Sequence, residues 1–148
     1  MPGVISVGAL DVDGDIWEGS SVGYTGAENS ELYQNPNKKP EVSAPGVSIV
    51  STAFNDEYYS STGTSDATVF VSGILALILE AEPDLITPSE ECLAQVKTAL
   101  MNSAIPLEEG IEHDSRWGYG AIDGKAWLNQ IQSSVACSYV LNDALRRK

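Results

Sequence analysis

Gly63-Thr64-Ser65-Asp66-Ala67-Thr68-Val69-Phe70-Val71-Ser72-Gly73-Ile74-Leu75-Ala76-Leu77-Ile78-Leu79 is the stretch from which the rest of the chain can be placed. Small, hydroxylated and acidic residues open it, and an apolar run over 69–79 follows. That run is apolar all round, so as a helix it is expected to be buried on every side. A serine in the first turn of such a helix has a backbone N–H among the unpaired donors there, and the helix dipole favours negative charge beside it. An oxyanion can be held in that place. Gly63 and Ala67 are small enough to admit a substrate backbone, and the apolar helix behind fixes Ser65 on a rigid element. The plainer alternative is that Thr64 or Ser65 simply caps the helix.

Upstream, Val4-Ile5-Ser6-Val7-Gly8-Ala9-Leu10 is β-branched and apolar on both faces, which predicts a central strand of a parallel sheet, closed by the turn Asp11-Val12-Asp13-Gly14-Asp15. Residues 19–40 are rich in Gly, Ser, Asn and Pro and predict an irregular excursion. Glu41-Val42-Ser43-Ala44 is a short strand stopped by Pro45-Gly46, and 47–53 alternate as another. Downstream, Thr87-Pro88-Ser89-Glu90 is a capping box, and the spacing of Leu93, Val96, Ala99 and Leu100 predicts an amphipathic helix to about Asn102. Trp117-Gly118-Tyr119-Gly120 marks a turn, and Asp123 is placed to cap a helix through Lys125-Ala126-Trp127-Leu128. The organisation expected is one domain portion over 1–133 and a polar tail over 134–148 that ends in Arg146-Arg147-Lys148.

With 148 residues, 43% of them hydrophobic, the chain can build one core. Eight Lys+Arg against 21 Asp+Glu give a net charge of -13, which repels phosphate backbones and anionic lipid, so neither nucleic acid nor a membrane is an expected partner. The apolar run over 69–79 is broken by Ser72 and Gly73 and falls short of a membrane span, and Met1-Pro2-Gly3 does not open a signal peptide. Cys92 and Cys137 are the only cysteines, which excludes a thiolate metal site. Pairing them would add roughly 4 kcal/mol on the chain-entropy account, and two free thiols are the other reading. The Asp11–Asp15 turn misses the EF-hand spacing and reads as a solvated turn, so no cofactor or metal is expected of this segment.

Four blocks in order carry a resemblance: Val4-Ile5-Ser6-Val7-Gly8-Ala9, Lys39-Pro40-Glu41-Val42-Ser43-Ala44-Pro45-Gly46-Val47-Ser48-Ile49, Gly63-Thr64-Ser65 and Gly118-Tyr119-Gly120. The chain resembles the C-terminal half of the subtilisin-like serine proteases, the subtilase family, over about residues 3–131. The resemblance implies an α/β fold, the C-terminal part of a three-layer architecture with a mostly parallel sheet and helices on both faces. It implies Ser65 as catalytic nucleophile, a polypeptide substrate, and 58–62 as the rim on the leaving-group side. Structural calcium belongs to several complete family members, and secretion is the family's habit. Two positions depart from the family pattern: Asp66 replaces the usual Met, and Val69-Phe70 replaces Pro-His. Asp66 is either a favourable first-turn charge or a change to the leaving-group side and to the electrostatics near the oxyanion.

A serine nucleophile needs a base and a group that orients the base. His113, the one histidine, lies after the serine in a polar loop, whereas subtilases run Asp, His, Ser, so it is not expected to be the base. The family's Asp, His and oxyanion Asn precede the strand with which this sequence opens. In subtilisin, loss of the histidine alone lowers the rate about as much as loss of the whole triad, roughly 10⁶-fold. Alone, the chain is therefore expected to be a negligible protease, completed by an N-terminal subtilase segment as partner. The alternative is a non-catalytic interaction module, or an inert fragment. Under either reading an open sheet edge predicts self-association.

Overall fold

The computed structural model describes residues 3–23, 34–35, 37–86 and 90–134. Residues 87–89 of the capping box, Cys137 and the tail beyond Ser134 lie outside these residues. The elements are β1 (Val7–Leu10), β2 (Val42–Pro45), β3 (Ile49–Thr52), β4 (Tyr58–Ser61), α1 (Thr64–Ala81), a 3₁₀ turn (Pro83–Ile86), α2 (Glu90–Ser103) and α3 (Gly124–Ser133). The arrangement is mixed α/β with a small parallel sheet.

Every residue of β1 is buried, as its two apolar faces require, and β1 pairs in parallel with β2 from Val7↔Val42 to Leu10↔Pro45. Pro45 has no N–H to give, so it can stand only at the end of this ladder, and Gly46 N–H takes over by donating to the Leu10 carbonyl at 2.9 Å. On the far side of β2, Ser43 N–H donates to Gly120 O and Ile122 N–H to Ser43 O, both at 2.8 Å, adding a parallel bridge at Ala121. Ile105 joins Ala121 in an antiparallel bridge beyond that. The outer edge of β1 is partly covered: Ala9 N–H donates to Ser20 Oγ at 3.0 Å, and Trp17 N–H donates to Ala9 O at 2.9 Å. The edge of β1 away from β2 is thus bonded at Ala9.

A buried ionic cluster sits at the head of β2, unforeseen in the sequence. Glu41 is fully buried, its Oε1 receives Lys97 Nζ at 2.6 Å and also Lys39 Nζ, and its Oε2 accepts the Ser6 N–H at 2.7 Å. Burial pushes the Lys39 amine down, against the pull of Glu41. Lys97 belongs to α2, so the cluster ties that helix to the sheet. The inward face of α2 carries Cys92, Val96, Ala99 and Leu100, while Leu93, expected inside, is 50% exposed. Asp123 caps α3, as its residue type suggests, by accepting the Ala126 N–H at 2.8 Å. Trp127 of α3 is fully buried and donates from its indole to Val96 O at 2.9 Å.

Helix α1 departs from expectation. It buries only a stripe through Ala67, Val71 and Ile78, whereas Val69 is 70%, Phe70 41% and Leu77 65% exposed. The helix is apolar all round because of its sequence, but the described elements cover one side of it. Its 18 residues are also long and apolar enough, by length and composition, to cross a membrane, which the shorter run over 69–79 did not suggest. Its packing onto β1 and β2 is that of a helix laid against a sheet.

Candidate active site

The N-terminus of α1 is held by a relay of backbone bonds. Leu10, at the end of β1, accepts from Gly46 just past β2, and Gly46 O in turn accepts the Gly63 N–H at 2.8 Å. A Cβ on Gly46 would lie 2.8 Å from Ala9 Cβ, 2.7 Å from Gly63 O and 3.2 Å from Ala67 Cβ, so only glycine lets the sheet and the helix start approach this closely. Ser48 N–H adds a tie to Thr62 Oγ1 at 2.9 Å. The corner before Ser65 is therefore fixed to both strands of the parallel sheet.

From that corner, Ser65 projects as the second residue of α1, and its side chain is exposed. Gly63 is the N-cap and makes no side-chain cap bond, so neither Thr64 nor Ser65 serves as the cap. Asp66 and Ala67 N–H both turn back to Gly63 O, at 3.1 and 3.3 Å, while the N–H of Ser65 belongs to the donors that a helix start leaves without an intrahelical acceptor. Among the described residues Ser65 Oγ has no hydrogen-bond partner. A hydroxyl and an N–H donor are thus available side by side. Asp66 does more than complement the dipole: its Oδ1 accepts a hydrogen bond from Ser61 Oγ at the end of β4. The sequence carried no signal for that pairing beyond the presence of Asp one residue after Ser65.

Leading into this corner, β3 and β4 form an antiparallel hairpin, Ile49↔Ser61 to Thr52↔Tyr58, that is exposed except at the half-buried Ile49 and Ser61. Asn55 and Asp56 turn it with positive φ, which these side chains tolerate better than most. Tyr58 and Tyr59 stand out from it, 77% and 63% exposed.

Elsewhere, His113 lies in the turn that packs on the residues before β2. Its Nε2 is 3.0 Å from the Pro40 carbonyl, its ring meets Tyr119 edge-on at 4.9 Å, and burial holds its pKa below the usual histidine value. The Asp11 carboxylate is taken by its own turn, accepting the N–H groups of Asp13 and Asp15 at 3.0 Å each.

With this geometry in view, comparison with known proteins decides the family. Residues 1–120 match the family described as the Subtilase family. The chain belongs to the subtilases. It is 35% identical over 116 residues to the C5a peptidase of Streptococcus pyogenes, covering 74% of this chain and 9% of that protein. It is 31% identical over 137 residues to the serine protease AprX of Bacillus subtilis, covering 82% of this chain and 29% of that one. Among solved structures, the Clostridium perfringens CspB protease superposes with a TM-score of 0.69 at 27% identity, over 89% of this chain and 27% of its own. The PatG macrocyclase domain does so with a TM-score of 0.66 at 28% identity, over 90% and 38%. This subtilase chain thus spans less than a third of the two curated relatives' lengths.

Proposed function

We propose that the chain is the nucleophile-bearing segment of a subtilisin-like serine endopeptidase, with Ser65 as the nucleophile. The observation that carries the reading is the exposed Ser65 with an unengaged Oγ and an adjacent N–H, on a corner fixed by Gly46 and Gly63. In the reaction, Ser65 Oγ attacks the carbonyl carbon of a peptide while a histidine base takes its proton. The Ser65 N–H and an asparagine amide hold the oxyanion, the leaving amine departs protonated, and water hydrolyses the acyl-enzyme. The base, its orienting carboxylate and the asparagine come from an N-terminal subtilase segment, completing a three-layer sheet-and-helix architecture. The exposed apolar face of α1, with Val69, Phe70 and Leu77, supports a segment docked there, since contiguous exposed apolar surface marks interaction sites.

Fluorophosphonate labelling tests the proposal. Labelling that appears when the chain is mixed with the complementary segment, and is lost in Ser65→Ala, supports it. No labelling in the mixture overturns it in favour of a non-catalytic module.

A further inference from the structure

We infer that Asp66 is the positioning residue of this nucleophile, acting by locking the end of β4 to the first turn of α1 through Ser61. The inference rests on the reading of Ser65 as nucleophile. Ser61 closes β4, Asp66 lies in the first turn of α1, and the corner residues 62–65 are all that separates them. Ser61 Oγ donates to Asp66 Oδ1, so the carboxylate spans the corner and closes it into a ring. The other carboxylate oxygen, Oδ2, rests beside Gly63, 3.6 Å from where a Cβ on that glycine would stand.

Three observations give this contact its role. Gly63, the N-cap, makes no side-chain bond to the helix start, so the first turn lacks the usual tie by which a cap fixes the direction of the N–H groups. Asp66 supplies a tie of its own, from within the turn back to the strand. Second, the relay through Gly46 holds the corner from the side of β1 and β2, whereas Asp66 holds it from the side of the hairpin. Together with the Ser48–Thr62 bond, these ties leave the corner residues little freedom, and the directions of Ser65 Oγ and N–H follow from theirs. Third, the bond to Ser61 engages the carboxylate on the hairpin side. A carboxylate with Oδ1 directed at Ser61 is held in one orientation next to the nucleophile, so the contact positions the corner.

A double-mutant cycle on the enzyme completed by its N-terminal segment tests the inference, with the rate of fluorophosphonate labelling of Ser65 as the readout. Ser61→Ala and Asp66→Leu are each expected to slow labelling roughly tenfold, and the double variant no further, because both remove one contact. Ser61→Thr, which keeps the hydroxyl, is expected to restore the rate to within about twofold, a rescue that loss of general stability would not show. A Ser61→Ala rate within about twofold of the parent, or a double variant slowed by the product of the singles, overturns the inference. If the parent itself is not labelled, the nucleophile reading fails, and amide exchange in the 148-residue chain then decides the contact. Faster exchange at residues 63–66 in Ser61→Ala and Asp66→Leu but not in Ser61→Thr upholds the lock, and unchanged exchange overturns it.

Discussion

Gly46 and Gly63 are joined back to back: the Gly63 N–H donates to the Gly46 carbonyl at 2.8 Å, and a Cβ on Gly46 would stand 2.7 Å from the Gly63 carbonyl. The same pair couples the end of the parallel sheet to the helix that carries Ser65. Gly46→Ala must therefore push the helix start off the sheet, since Ala9 and Ala67 crowd the other sides. The expected loss is about 1–3 kcal/mol in urea unfolding, with slower labelling of Ser65 in the completed enzyme.

Lys97 has 3% of its side chain exposed and shares the Glu41 carboxylate with Lys39. Lys97→Met leaves Glu41 with Lys39 as its counter-charge and the Ser6 N–H on its other oxygen, so destabilisation of about 1–3 kcal/mol, the cost of one lost charged hydrogen bond, is expected from chemical denaturation. A loss under about 1 kcal/mol would mean that water reaches Glu41 once the lysine is gone.

Leu77 contributes apolar surface but no core packing, being 65% exposed. Leu77→Asp is expected to change the stability of the chain by no more than about 0.5 kcal/mol, as for other surface substitutions. The same change should weaken binding of the N-terminal segment and raise the monomer fraction in sedimentation. Unaltered binding would place the docking surface elsewhere.

His113 is held below its usual value of 6.5 by burial, with Lys38 lowering it further and the Pro40 carbonyl, Asp114 and Glu41 opposing. The unfolded chain therefore binds a proton at this residue before the folded one does. Its contribution to stability is fully present above 6.5 and is lost as the pH falls from there through the folded pKa. Comparing urea midpoints near pH 7.5 and 5.5, the decline should be smaller in His113→Gln than in the parent.

Much of the fold was legible because the signals were local. Two-faced apolarity marked β1, Pro45-Gly46 marked the end of β2, and Asp123 marked the cap of α3. Strand β4 was harder, since its Ser60 and Ser61 resemble loop residues and owe their pairing to Val50 and Ile49 across the hairpin. Lys97 could not be placed either: an isolated lysine on an amphipathic helix is ordinarily solvated, and its burial follows from a carboxylate 56 positions earlier in the chain.

By itself, the sequence determined the family, the helix that begins at Gly63-Thr64-Ser65 and the place of a serine in its first turn, because motif, periodicity and helix polarity are properties of neighbouring residues. Only the tertiary structure decided which stripe of α1 is covered, that Gly46 rather than a capping side chain anchors the corner, and that Asp66 turns to Ser61. Those outcomes depend on which segments meet in space, and an apolar helix or a first-turn carboxylate looks the same in sequence whether or not a partner stands opposite it.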